Sequence, residues 1–170
     1  MRSLGARGSI DVRPIRRAFE RCATALRALR PRLEVVLTRC PFPPESYDWD
    51  DRVAGTISPA EPYFVKPGNS VLWPPTNGFA DWLTGLVDEG RHTLVVGGCT
   101  LNSCVRVSAI DVLQHVGHRG LAVVVDLSLC GARAENFRPS PLFGGVSPVA
   151  SAIAQMRAAG VRVVRRAEWV

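Results

Sequence analysis

The sequence has almost no lysine and no long apolar run. Of its 21 basic residues 20 are arginine, and Lys66 is the only lysine. No apolar run approaches the roughly 20 residues that cross a bilayer, and the first residues lack the apolar core of a secretion signal. We therefore expect a cytoplasmic protein that does not bind membranes. The lone lysine also indicates a position where a guanidinium would not serve.

Metal-ligand and disulfide patterns are also missing. The five cysteines are an odd number without a CxxC pair, and they stand at Cys22, Cys40, Cys99, Cys104 and Cys130. The three histidines form no HExxH motif. We therefore predict no disulfide framework, no metal site and no cofactor.

The formal net charge of +6 comes from arginines scattered along the whole chain. Scattered arginines without interleaved aromatic residues give only weak, salt-sensitive attraction to polyanions. We therefore do not expect nucleic acid as a main partner.

The hydrophobic pattern predicts an α/β fold in one domain that spans residues 1–170. Predicted helices cover residues 14–29, 77–90, 105–116 and 147–160. Predicted strands cover residues 33–40, 63–66, 93–97, 121–127 and 161–164, with loops at 41–62 and 128–146. Apolar, β-branched strands that alternate with helices indicate a parallel sheet covered on both faces. The predicted architecture is a three-layer α-β-α sandwich with a doubly wound, mostly parallel sheet.

Residues 95–105 are the most informative for chemistry. They leave a predicted strand, turn at Gly97 and Gly98, and place Cys104 in the first turn of a helix. The free amides and the dipole there favour a thiolate and can bind an oxyanion formed from a carbonyl. A small buried cysteine packed behind the sheet fits the same pattern. The pattern alone leaves both interpretations open.

These residues resemble a known family, the isochorismatase-like cysteine hydrolases, over about residues 12–170. The resemblance rests first on the spacing of Gly97, Thr100, Cys104 and Val105, followed by Arg106 and Ala109. The strand that ends at Lys66 also resembles the family's strand with a catalytic lysine. The helix that begins at Phe79 and the strand that ends at Asp126 fit in order.

The resemblance implies a triad of aspartate, lysine and cysteine, with Lys66 assisting a nucleophilic Cys104. It also implies a cis peptide at Cys99–Thr100 and oxyanion binding by the amides of Thr100 and Cys104. The implied substrate is a small molecule with an amide, ester or vinyl-ether bond. The implied assembly is a homo-oligomer.

The implied aspartate has no clear counterpart. Family members begin with a central strand that carries it, whereas residues 1–12 resemble only the loop after such a strand. The one carboxylate there, Asp11, fits a helix entry better than a catalytic base. Three explanations stay open: a shortened start, which we favour; a catalytically silent relative used as a binding or assembly module; and a partner chain that supplies the strand.

Features around the predicted site say less about the substrate. Tyr47, Trp49, Trp73 and Phe79 are candidate walls for an aromatic or cyclic substrate, and packing of a proline-rich loop explains them equally well. Residues 40–51 contain no histidine, which disfavours a nicotinamidase with a metal. For Arg133 and Arg138 we favour a solvated loop over contact with an anionic substrate.

Overall fold

Helices alternate with parallel strands in a computed structural model that describes residues 13–30, 32–40, 51–58 and 60–168. The strands are β1 (Arg13–Pro14), β2 (Leu37–Arg39), β3 (Tyr63–Val65), β4 (Thr93–Cys99), β5 (Ala122–Ala132) and β6 (Arg162–Val164). The α-helices are α1 (Ile15–Leu29), α2 (Asp51–Ala54), α3 (Phe79–Asp88), α4 (Arg106–Val116) and α5 (Pro148–Ala158). A π-helical turn, Leu101–Val105, leads directly into α4.

The strand β5 is the centre of the larger sheet. It pairs with β4 along one edge, and with β6 and then β1 along the other, and every pair is parallel. The strands β2 and β3 form a separate parallel pair. Within the described ranges, no strand pairs with the second edge of β4. Because parallel strands end at the same edge of their sheet, Arg39 and Val65 lie together at the end of one sheet, and Cys99 ends β4 in the other.

Two predicted strand boundaries are wrong, and the loop predicted at residues 41–62 contains the short helix α2. The strand predicted at residues 33–40 is confined to Leu37–Arg39 and is only half-buried, because it pairs with β3 alone. The loop predicted to begin at residue 128 begins after Ala132. Residues 128–132 continue β5, because they find partners in the end of β4 and in β1. The other predicted helices and strands are present, with ends shifted by a few residues.

The two faces of β5 carry different layers. Val123, Val125 and Leu127 belong to the main core, which is closed by residues such as Leu83 of α3, Val112 of α4 and Met156 of α5. The helix α1 covers the opposite face, where its Cys22 thiol donates to the carbonyl of Leu129 at 3.3 Å. Together the layers form an α/β sandwich, as the sequence predicts.

Gly131 allows α1 to lie against the end of β5. A Cβ at this position would stand 2.7 Å from Cys99 Sγ, 2.8 Å from Ala18 Cβ and 3.0 Å from Ile15 Cα. Ile15 Cα is a backbone atom of α1, and Ala18 Cβ is fixed to that backbone. Neither atom can move by rotation of a side chain. The close approach of helix and strand therefore depends on the absence of a side chain at residue 131.

We expect Gly131→Ala to lower the free energy of unfolding by about 1–3 kcal/mol, because the new methyl overpacks this contact. Gly85→Ala is the matched control, since a Cβ there meets nothing within 4 Å and the position is inside α3. The control is expected to raise stability by roughly 0.5–1 kcal/mol. Urea unfolding of both variants measures the effects, and equal stabilities would contradict the packing argument.

No helix in the described part of the chain is long and apolar enough to cross a membrane.

Candidate active site

The predicted nucleophile lies where β4 passes into α4. The strand ends at Cys99, and the Cys99–Thr100 peptide is cis, as the resemblance implies. The carbonyl of Thr100 then accepts hydrogen bonds from the amides of Ser103 and Val105, both at 3.2 Å. These bonds start the π-helical turn, which Leu101 and Val105 anchor in the core. Cys104 is half-buried in this turn.

Asn69 contacts the thiol. The Cys104 thiol donates to Asn69 Oδ1 at 3.3 Å. Asn69 is held in place from α4, because the Ser108 hydroxyl donates to the Asn69 carbonyl at 2.9 Å. The same hydroxyl accepts from the Val71 amide at 3.0 Å. The loop after β3 is therefore tied to the helix that carries Cys104.

Lys66 follows the end of β3 and is only 4% exposed. Its Nζ donates to the carbonyl of Gly68 at 2.9 Å and lies 3.9 Å from Cys40 Sγ. The loop after β3 contacts both the ammonium and the thiol. The Gly68 carbonyl accepts from Lys66 Nζ, and Asn69 Oδ1 accepts from the Cys104 thiol. Across the described residues, however, Lys66 makes no ion pair with a carboxylate and no hydrogen bond to Cys104.

Two other cysteines lie in less reactive surroundings. Burial raises the pKa of the Cys22 thiol to about 11, and the charge of Asp126 adds to the effect. Burial also raises the pKa of Cys130 well above its ordinary value, with further contributions from Cys22 and Cys99. Both remain protonated thiols near neutral pH.

Asp126 is a buried carboxylate within β5, and its role is structural. It is 1% exposed, and its oxygens accept from the amides of Ser128 at 2.8 Å and Ala167 at 2.9 Å. One oxygen therefore stabilises β5 itself, where Ser128 lies, and the other stabilises the chain that follows β6. The structure gives Asp126 no contact with Lys66 or Cys104.

The aromatic candidates Phe79 and Trp73 differ in exposure. Phe79 is 3% exposed and packs edge-on against Phe64, with ring centroids 5.3 Å apart, and against Trp82 at 5.5 Å. Phe79 is therefore a core residue and does not form a wall of the candidate site. Trp73, by contrast, is 55% exposed.

Several other candidates lie away from the thiol or beyond the described ranges. Cys99 Sγ lies close to Gly131 and Ala18, on the face that α1 covers. Arg133 and Arg138 are exposed. Asp11, Tyr47 and Trp49 lie outside the described residues. No cluster of metal-binding side chains occurs in residues 13–30, 32–40, 51–58 and 60–168.

An open groove of about 520 Å³ lies between the loop after β3 and α4, and one of its lining residues, Asn69, contacts the Cys104 thiol. Its lining residues are Gly68, Asn69, Ser70, Leu72, Trp73, Val107 and Asp111. The sequence-based prediction missed Asn69, Ser108 and Asp111. The two helical residues could have been found by their spacing, because positions four and seven after Cys104 share its side of a helix.

Solved structures with the same architecture are hydrolases by name. N-carbamoylsarcosine amidase from Thermoplasma acidophilum aligns with a TM-score of 0.63 and 18% identity over 91% of this chain and 86% of that chain. A putative hydrolase of the isochorismatase family from Chromobacterium violaceum aligns at 0.62 and 20% over 87% and 76%. The Escherichia coli YcaC gene product, an octameric hydrolase of unknown specificity, aligns at 0.61 and 20% over 90% and 67%.

No family model matches the chain, and no curated protein matches it. The solved structures therefore establish the fold: the chain has an isochorismatase-like α/β fold, as the sequence resemblance implies.

Proposed function

We propose that this protein hydrolyses a small-molecule amide or ester through Cys104, with assistance from Lys66. The observation that carries the proposal is the position of the thiol. It lies in the first turn after β4, 3.3 Å from Asn69 Oδ1, and Asn69 in turn lines an open groove. The fold shared with a named amidase and two named hydrolases agrees with this chemistry.

The reaction has two steps. The Cys104 sulfur loses its proton and attacks the substrate carbonyl, and the tetrahedral oxyanion is stabilised by amides at the start of the turn, those of Thr100 and Cys104. Collapse of this intermediate forms a thioester and releases the amine or alcohol, which takes up a proton. Water then attacks the thioester, which yields the carboxylic acid and restores the thiol.

Asn69 supports both states of the sulfur. Its amide oxygen accepts from the thiol, and the same side chain turned by half a rotation presents an N–H donor to the thiolate. Lys66 contributes a buried positive charge at the same end of the strands, 2.9 Å from the Gly68 carbonyl. This charge stabilises negative charge that develops on the sulfur or the substrate oxygen. The carboxylate of the implied triad would come from outside the described residues.

Site-resolved alkylation tests the proposal. With iodoacetamide near neutral pH, we expect Cys104 to react at least about tenfold faster than each of the other four cysteines. Cys22 is the internal reference: because its pKa is raised to about 11, its rate is expected to rise about tenfold per pH unit up to that value. Equal rates at all five cysteines would contradict the assignment of the nucleophile.

The mapping needs fragment ions, because Cys99 and Cys104 fall in one tryptic peptide, residues 92–106. Iodoacetamide is small and uncharged, so it reports the reactivity of each sulfur with little contribution from substrate recognition.

A second function is favoured by one contact. Lys66 Nζ bonds to the Gly68 carbonyl and approaches Cys40, and no hydrogen bond joins it to Cys104 in the part of the chain that the structure describes. A catalytically silent binding or assembly module on the same scaffold fits that arrangement. It predicts that Cys104 is alkylated no faster than Cys40 and Cys99, which are also half-buried.

Location and assembly complete the proposal. A cytoplasmic place of action agrees with the composition. A homo-oligomer is supported by the edge of β4 that has no partner strand among the described residues, and one of the similar structures is an octamer by name.

A further inference from the structure

The groove that Asn69 lines also runs along one face of α4. Val107 and Asp111 both line it, and they follow Cys104 by three and seven residues, a spacing that puts all three on one side of a helix. At 1.5 Å per residue, the Asp111 carboxylate lies roughly 10 Å along the helix from the sulfur. The groove is therefore lined by a carboxylate and by Asn69, whose side chain contacts the Cys104 thiol.

The wall opposite α4 is held in a fixed position. Besides the two Ser108 bonds described above, Asn77 Nδ2 donates to the Val71 carbonyl at 2.8 Å, and Val71 itself is 3% exposed. These contacts come from two different elements, α4 and the turn before α3. The loop that carries Leu72 and Trp73 is thus preorganised, which lowers the entropic cost of binding.

The lining has a simple charge pattern. Asp111 is the only charged residue of the seven that line the groove, although the whole chain carries a net charge of +6. Within the described part of the chain, the Asp111 side chain makes no hydrogen bond or ion pair. Its neighbours in the groove include the apolar Leu72 and Val107 and the exposed indole of Trp73. Carboxylates and indole faces both attract cations.

We propose that this groove binds the unreactive part of the substrate, an apolar or aromatic group that ends in a cationic nitrogen. The cation pairs with Asp111, the apolar body lies against Trp73, Leu72 and Val107, and the carbonyl reaches Cys104. The groove volume of about 520 Å³ falls within the usual range for small-ligand sites. This specificity rests on the proposed function, because it places the electrophile at Cys104.

Three matched alkylating probes test it. They are N-(4-aminomethylbenzyl)iodoacetamide, its neutral 4-methylbenzyl analogue and its anionic 4-carboxybenzyl analogue. The charged group of the first stands roughly 10 Å from the reacting carbon, which matches the helical spacing. We expect Cys104 to react about fivefold faster with the cationic probe than with the neutral one, and more slowly with the anionic one.

Asp111→Asn keeps the shape of the side chain and removes its charge, so the cationic and neutral probes are expected to react within twofold of each other. Glu89→Gln is the matched control, because it removes one exposed carboxylate at the far end of the sheet, beside the start of β4. This control keeps the fivefold preference. Trp73→Ala lowers the rates of all three benzyl probes and leaves that of plain iodoacetamide unchanged.

The outcomes separate the two proposals. If plain iodoacetamide selects Cys104 while the three probes react equally, the groove assignment is wrong and the nucleophile stands. If plain iodoacetamide shows no selectivity, the proposed function fails, and the groove is tested by binding alone.

In that binding experiment 4-methylbenzylamine must change the Trp73 fluorescence, measured as the difference from Trp73→Phe, and must lose affinity in Asp111→Asn. A change in oligomeric state in Asp111→Asn with unchanged probe ratios means that a second copy occupies the groove, which overturns the proposal.

Discussion

Lys66→Met is expected to lower the hydrolysis rate of 4-nitrophenyl acetate by roughly 100-fold while stability stays equal or rises by about 1–3 kcal/mol. The ammonium is buried, and among the described residues its contacts are the Gly68 carbonyl and the Cys40 sulfur, with no carboxylate. Burying a charge without a carboxylate partner costs stability, so an apolar side chain of similar length relieves that cost. Hydrolysis falls because the variant lacks the positive charge that the proposed mechanism uses.

Lys66→Arg is the matched control for this variant. It keeps the charge but replaces a compact ammonium with a wide, planar group, so we expect no recovery of activity in the buried site. Urea unfolding and initial rates give the two readouts. A Lys66→Met variant that is less stable and equally active would show that Lys66 serves the fold and not the chemistry.

Cys104→Ser is expected to lower the same hydrolysis rate by at least about 1,000-fold. Serine is nearly the same size, so the turn and its hydrogen bonds are expected to stay. Its hydroxyl, however, is a much weaker nucleophile than a thiol without a strong base beside it, and the described residues around Cys104 include no histidine or carboxylate in contact with the sulfur.

Cys40→Ser is the control for the loss of hydrolysis in Cys104→Ser, because Cys40 is the thiol that Lys66 approaches, at 3.9 Å. It is expected to keep more than about half of the activity, since hydrolysis runs through the other thiol. If the large loss occurred in Cys40→Ser and not in Cys104→Ser, the nucleophile would be misassigned. Circular dichroism of both variants checks that they fold.

The part of the site that could be predicted from sequence is local. The passage from β4 through a tight turn into α4 depends on neighbouring residues, and it places Cys104 where the pattern predicts. Lys66 at the end of β3 follows from a short apolar strand before a proline and a glycine. Such features need only strand and helix periodicity and turn chemistry.

The remainder depends on contacts between distant segments. Trp73 and Phe79 are aromatic residues six positions apart, yet one is exposed and the other lies in the core, because only Phe79 faces Phe64 and Trp82. Similarly, β5 continues to Ala132 because β1 and the end of β4 offer it partners. The contact of Lys66 with Cys40, 26 residues earlier in the chain, has the same origin. Local patterns contain no information about these partners.

The most direct test of the central claim is to trap the covalent intermediate. The protein is mixed with 4-nitrophenyl acetate, quenched in acid and digested, and fragment ions of two peptides, residues 92–106 for Cys99 and Cys104 and residues 40–52 for Cys40, locate the acetyl group. The mechanism predicts an acetyl thioester on Cys104, formed as 4-nitrophenolate leaves, and its absence in Cys104→Ser. Acetyl on Cys40 or Cys99, or hydrolysis without any acetylated cysteine, would contradict it.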